Sequence, residues 1–343
     1  MSAPADYAEV KAMQAARTGT AKRRMRLFSG RAHPELAKEI AGLLGVSLGQ
    51  ILVSTFPNSE TLVQIEESVR GADIFIIQPT CHPANENLME LLIMLDAFKR
   101  ASAGQITAVV PYYGYARQDR KATGREPISA RLVADLLTTA GANRVVSVDL
   151  HVAQIQGFFS IPMDHLTAMT TIVHYIRQKD LSRAIVVTPD VGRAKLAEKY
   201  ASRLGLPMAL MHKRRQGVGG REVEVLEIVG DVRGKTPIVV DDEIAGGSII
   251  QQAMALAQAG AEPAYVAVTH GVLVGNALER LQHECIREVI VTNTVPVPAE
   301  KQERLPKLRV LSIAPLLARV IRNIENHKSV SKVFADEKVE FAV

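Results

Sequence analysis

Short apolar runs rich in β-branched residues alternate with helical stretches from Met25 to the end of the chain. Residues 73–78 (DIFIIQ), 106–110 (ITAVV), 145–149 (VVSVD), 184–188 (AIVVT), 237–241 (PIVVD), 265–268 (YVAV) and 289–292 (VIVT) read as strands. Several are apolar throughout, as strands covered on both faces are. Between them the spacing becomes helical. Leu88, Leu91, Leu92 and Leu95 stand at i, i+3, i+4 and i+7; Ile250, Ala253, Met254 and Ala257 repeat that spacing ahead of Gly260. Strands alternating with helices predict an α/β fold with mainly parallel sheets. A seam near 160–170 divides the chain into an N-terminal domain (25–166) and a C-terminal domain (167–343), with an extension at 1–24. Each half carries an apolar strand followed by a polar, glycine-containing loop, Pro111–Tyr115 and Asp241–Gly247, which suggests an internal duplication.

Composition narrows the function classes. A length of 343 residues suits two domains. No unbroken apolar run approaches the roughly 18 residues of a membrane span, so no membrane partner is expected. The net charge of +5 suits a phosphorylated small molecule as well as nucleic acid. The one dense basic run, Lys22 to Arg26, lies at the end of the extension without aromatic or base-reading partners, so no nucleic acid is expected. Cys81 and Cys285 stand far apart in dissimilar contexts, without metal-type spacing, which fits a reducing cytosol. Asp6 and Glu9 interrupt the first residues and no apolar core follows, so a cytoplasmic protein is predicted.

The candidate chemistry gathers in four segments. In "IVVDDEIAGGSII" an apolar strand ends in two carboxylates, where parallel α/β sheets bind ligands. Asp241 and Asp242 could accept hydrogen bonds from vicinal sugar hydroxyls. Gly246 and Gly247 let backbone N–H groups approach a phosphate at a helix N-terminus, and Ser248 could cap that helix or bond the phosphate. An ordinary acidic strand end with a glycine turn reads equally well. In "VVPYYGYARQDRK" residues Arg117 to Lys121 are either contacts to a nucleotide triphosphate or a solvated charge run. His151 follows a strand, as a ligand or as a structural histidine. In "MHKRRQGVGGREVEV" residues Lys213, Arg214 and Arg215 precede a glycine-rich stretch, either a cationic loop that closes over a phosphoryl group or a surface cluster.

Taken together these segments resemble the ribose-phosphate diphosphokinase (phosphoribosyl pyrophosphate synthetase) family from about Leu27 to Phe334. The resemblance also runs through "FSGRAHPELAKEIAGLLGV", "FPNSETLVQIEESVRG", "REPISARLVADLLTTAGA", "VVTPDVG", "THGVLVGNALERL", "EVIVTNTVP" and "LSIAPLLARVI". It implies two phosphoribosyltransferase-like α/β domains, and transfer of the pyrophosphoryl group of ATP to ribose 5-phosphate with Mg²⁺. By the same carry-over Phe56, Asn58, Glu60, Arg117, Gln118 and Asp119 bind ATP, and His151 and Asp190 hold the metal. Lys213 and Arg215 are the catalytic cations. Asp241 and Asp242 grip the ribose, and Ala245, Gly246, Gly247 and Ser248 cradle its phosphate. The segment at 56–60 reaches into a neighbouring subunit in the family, which implies a homo-oligomer built of dimers, a hexamer in most relatives.

The sequence departs from that pattern at the cradle, which is one residue short, lacks a threonine before the glycines and has Ala245 where an acidic residue is common. Ala122 also replaces an acidic residue, and Arg193 stands where a second glycine is common. A non-catalytic regulatory subunit of the same fold and a phosphoribosyltransferase are the alternatives; retention of Lys213, Arg215, His151 and Asp190 favours the enzyme over the first, and the ATP-type segments count against the second.

Overall fold

The computed structural model describes residues 25–218, 221–331 and 333; the extension at 1–24 lies outside them. Two sheets form the frame. The first is wholly parallel, in the order β1 (Met25–Ser29), β4 (Asp73–Ile77), β5 (Gln105–Val110), β6 (Arg144–Val148) and β7 (Met163–Leu166). An antiparallel hairpin, β2 (Ile51–Thr55) with β3 (Thr61–Ile65), stands apart from it. The second sheet runs β10 (Arg221–Val229), β9 (Met208–Val218), β8 (Ala184–Thr188), β11 (Thr236–Ile244), β12 (Ala264–Gly271), β13 (Ile286–Thr292) and β14 (Leu308–Leu311). Only its β9–β10 pair is antiparallel.

The seven predicted strands all form, with ends shifted by a few residues. The strand at 237–241 is the informative difference. It runs on to Ile244, because Glu243 and Ile244 pair with His270 and Gly271 of β12. The glycine-rich stretch read as a loop is also largely strand, the hairpin β9–β10.

The two halves repeat one topology. Leu48 bridges in parallel to Leu27, on the side of β1 away from β4, before the chain enters the hairpin β2–β3. In the second half β9 lies on the side of β8 away from β11 and continues into β10. Beyond that point both sheets proceed in sequence order.

Helices cover both faces of each sheet. The helix Pro34–Leu44 starts where the His33 side chain accepts from the Leu36 amide, and it ends at Gly45, whose φ of 71° is left-handed. It packs Leu36 and Ile40 into a core that also takes Leu317 and Ile321 from the helix Ala314–Glu325. That core lies between the sheets and includes Val146, Val148, Val186 and Val240 from their strands. Each fully buried Leu or Ile there contributes about 1.5–3 kcal/mol. Ser312 Oγ donates to Glu39 at 2.6 Å and Arg322 donates to the Leu43 carbonyl at 3.0 Å, stitching its rim.

Candidate active site

The apolar run Pro237–Val240 is fully buried between helices, and the strand then turns polar at Asp241 without leaving the sheet. Its neighbour β8 pairs with it only from Thr236 to Val239. From Val240 onward β11 therefore overhangs, held by β12 alone, and its other edge opens on a cleft of about 660 Å³. Asp241, Asp242 and the turn Ala245–Ser248 line that cleft. The turn is anchored from behind, since Leu273 and Val274 donate to the Ile244 and Ala245 carbonyls at 3.0 Å each. Gly247 has a φ of 75°, which favours glycine, and a Cβ there would press on the Ala277 Cα at 3.1 Å. Ser248 precedes the helix Ile249–Gln258 but its hydroxyl makes no cap, contrary to one of its two predicted roles.

The opposite wall comes from the loop after β5. Gly114 allows it to lie against Thr80, where a Cβ would fall 2.4 Å from the carbonyl oxygen. Two of its aromatics serve as anchors. Tyr113 is buried and donates to the Ala130 carbonyl at 2.9 Å, and Tyr112 stands edge-on to His270 with centroids 5.0 Å apart. Arg117, Asp119 and Arg120 reach the cleft. Arg117 pairs with Glu243 at 3.0 Å, and Tyr112 donates to the same carboxylate at 3.2 Å. Glu243 thus ties the β5 loop to the overhanging strand, a role the sequence did not suggest.

His151 and Asp190 reach the same cleft, from the ends of β6 and β8. Asp190 caps a 3-10 turn by accepting from the Arg193 amide at 3.1 Å. His151 Nδ1 lies 2.7 Å from Asp242 Oδ2. A carboxylate on one ring nitrogen fixes the tautomer that leaves the other nitrogen free to ligate a cation. Among the described residues no group of three His, Cys, Asp or Glu is arranged to enclose a metal. Two donors in a roomy cleft fit an ion that keeps most of its shell as water and phosphate oxygens, as Mg²⁺ does.

The acid pair has split behaviour. Burial, reinforced by the neighbouring Asp242, pushes the Asp241 carboxyl up. Burial acts the same way on Asp242, but the His151 hydrogen bond and the Arg193 guanidinium outweigh it and hold that carboxyl low. Asp241 therefore holds its proton to higher pH than a free carboxyl group does. Above the ordinary value of 3.8 the unfolded chain releases a proton that the folded chain keeps at Asp241, so this group makes stability fall as pH rises. Asp241→Asn removes that penalty. We expect it to melt about 2–4 °C above wild type at pH 9, with a smaller gain at pH 5. A gain equal at both pH values would contradict the shifted acid.

Two groups of predicted residues do not line this cleft, and a third falls on side chains outside the described residues. Phe56, Asn58 and Glu60 form the exposed tip of the hairpin β2–β3, closed by the Phe56 amide on the Glu60 carbonyl at 2.8 Å. Gln118 accepts from Ser129 at 2.5 Å, at the start of the helix Ser129–Ala140. Lys213 and Arg215 stand on β9 opposite Leu226 and Glu224, and their side chains lie outside the described residues. Conversely, Arg280 donates to the Gly246 carbonyl at 3.1 Å behind the turn, and no spacing rule would have found it.

The fold is α/β with mainly parallel sheets. Residues 25–141 match the N-terminal domain of ribose phosphate pyrophosphokinase, and residues 217–335 match the phosphoribosyl synthetase-associated domain. The chain is 49% identical to a ribose-phosphate pyrophosphokinase of Clostridium acetobutylicum, covering 91% of this chain and 98% of the relative. It is 51% identical to that of Caldanaerobacter subterraneus, over 90% and 98%. The phosphoribosylpyrophosphate synthetase of Mycobacterium smegmatis superimposes with a TM-score of 0.84 at 50% identity, over 89% of this chain and all of that one. The chain belongs to the ribose-phosphate pyrophosphokinase family and is an enzyme of that family.

Proposed function

We propose that the cleft joins ATP to ribose 5-phosphate, transferring the pyrophosphoryl group to the sugar's 1-hydroxyl and releasing phosphoribosyl pyrophosphate and AMP. The observation that carries this reading is the meeting of four groups in one cleft: Arg117 and Asp119, His151 and Asp190, the acid pair, and the turn 245–248. Asp241 and Asp242 accept from the ribose hydroxyls. The amides of Ala245–Ser248, at the N-terminus of the helix Ile249–Gln258, receive the 5-phosphate. Arg117, Gln118 and Asp119 hold the nucleotide. Lys213 and Arg215, brought in on the β9–β10 hairpin, neutralise charge that develops on the transferring group. His151 and Asp190 would hold Mg²⁺, which supplies phosphate charge neutralisation when bound.

The exposed hairpin tip supports an oligomer. Phe56, Asn58 and Glu60 are outside their own cleft, so in this reading they complete the adenine site of a neighbouring copy, in a homo-oligomer built of dimers. The domains divide at 166/167, the first serving ATP and the second the sugar phosphate. The chain works in the cytoplasm; no helix among the described residues is long and apolar enough to cross a membrane.

The test is AMP and phosphoribosyl pyrophosphate formation by the purified chain, given ATP, Mg²⁺ and ribose 5-phosphate. Absence of both products from a folded, assembled chain would favour a regulatory subunit. The shortened turn has its own consequence. It offers the phosphate one amide and one hydroxyl fewer than the family pattern, so inserting Thr after Ala245 is expected to lower the KM for ribose 5-phosphate about three- to tenfold. An unchanged KM would show that the short turn binds fully.

A further inference from the structure

Successive side chains on a strand point to opposite faces, so Asp241 and Asp242 alone would present their carboxyl groups on different sides of β11. The structure supplies a device that brings them together. Because β8 stops pairing at Val239, the edge of β11 beside the acids is open. Arg193, at the end of the turn Val191–Arg193 that follows β8, lies across that edge. Its Nε is 3.2 Å from Asp241 Oδ1 and its Nη2 is 2.6 Å from Asp242 Oδ2. Nη1 donates to the His151 carbonyl at 2.7 Å. The side chain is only 16% exposed. It stands with both acids in the wall shared by the 660 Å³ cleft and a second cavity of about 830 Å³.

We propose that Arg193 is a positioning residue that draws Asp241 and Asp242 to one side of the strand edge and so sets the enzyme's selectivity for a vicinal diol. This rests on the assignment of the acid pair to the ribose. The planar fork suits the task, since it engages two carboxyl groups at once from one fixed plane. Neutral hydroxyls are weaker partners for a carboxylate than a guanidinium, so the sugar binds the remaining carboxyl oxygens and leaves Arg193 in place. Selectivity follows from the pairing. With the acids held together, a sugar lacking one hydroxyl leaves one acid unpaired, and with them apart that difference shrinks.

The experiment compares ribose 5-phosphate with 2-deoxyribose 5-phosphate, by calorimetric titration of the full-length chain as wild type, Arg193→Ala and Arg193→Lys. A non-hydrolysable ATP analogue with Mg²⁺ is titrated in parallel. In Arg193→Ala we expect the Kd for ribose 5-phosphate to rise roughly tenfold, with about threefold or less for the deoxy sugar and twofold or less for the nucleotide. Arg193→Lys, which keeps charge without the fork, should recover only part of the sugar preference. An unchanged preference in Arg193→Ala overturns the proposal, as does tighter binding of ribose 5-phosphate, which would make Arg193 an occupant of the sugar's place. An equal loss for both sugars and the nucleotide also overturns it, since that marks general structural damage. Wild type that binds neither sugar phosphate overturns this proposal together with the functional reading; wild-type binding with an unmoved ratio overturns this one alone.

Discussion

Replacing Asp242 with alanine is expected to cost about 3 kcal/mol of stability and to lower the melting temperature by roughly 4–5 °C. The side chain is 9% exposed and is the common partner of His151 and Arg193. Its removal leaves a guanidinium in a half-closed wall with one weakened acid beside it, and leaves the histidine without its orienting carboxylate. The same substitution removes one of the two groups assigned to the sugar, so the KM for ribose 5-phosphate should rise about a hundredfold. Asp242→Asn, which keeps the shape, should recover part of the stability but little of the affinity. Scanning calorimetry and initial-rate kinetics on the same preparations check both halves. A melting temperature within 2 °C of wild type would show that Asp242 is not the junction drawn here.

Lys213→Ala is the complementary case, large in rate and small in stability. A lysine that meets the substrate only as charge develops should be lost mainly from kcat, by about 10²–10³-fold, with KM values moving by threefold or less. A single-turnover measurement isolates the transfer step from product release. If the loss fell mainly on the KM for ATP, Lys213 would belong to ground-state binding instead. Its melting temperature should stay near that of wild type, because the residue lies on the hairpin β9–β10 at the edge of the second sheet.

The legible part of the fold was the part whose burial writes itself into the chain. Strands such as Ile74–Ile77 and Ile185–Val187 are covered on both faces and carry uninterrupted apolar residues, so they could be found by composition alone. The hairpins were harder. In β10 the order Glu222, Val223, Glu224, Val225 does alternate, but the preceding glycines and cations drew the reading towards a loop. At β11 the charges of Asp241, Asp242 and Glu243 argued for a strand end, whereas pairing with β12 carried the strand three residues further. That outcome depends on a partner 27 residues away in the register, Glu243 against His270, which no local window contains.

The site divides in a similar way. Segments with glycine beside acid or cation at a strand end were visible, and the resemblance gave each a role. Pairs that join distant segments were not. Arg193 was noticed only as an unusual residue where glycine is common, and nothing in its neighbourhood announces Asp241, Asp242 and His151 as partners. Glu243 read only as part of a polar loop, yet it meets Arg117 and Tyr112 from the other half. Both contacts follow from the overhang of β11, a tertiary fact.

The core between the sheets has a consequence for how the molecule comes apart. Leu36 and Ile40 from one end of the chain, Leu317 and Ile321 from the other, and strand valines of both sheets occupy one continuous apolar body. Severing the chain at the seam would leave each fragment with a bare greasy flank. The two halves are therefore not independent modules joined by a tether. Heat should dismantle both sheets and the cleft walls they carry in a single step, so the geometry of the cleft is guarded by the same side chains that keep the molecule folded.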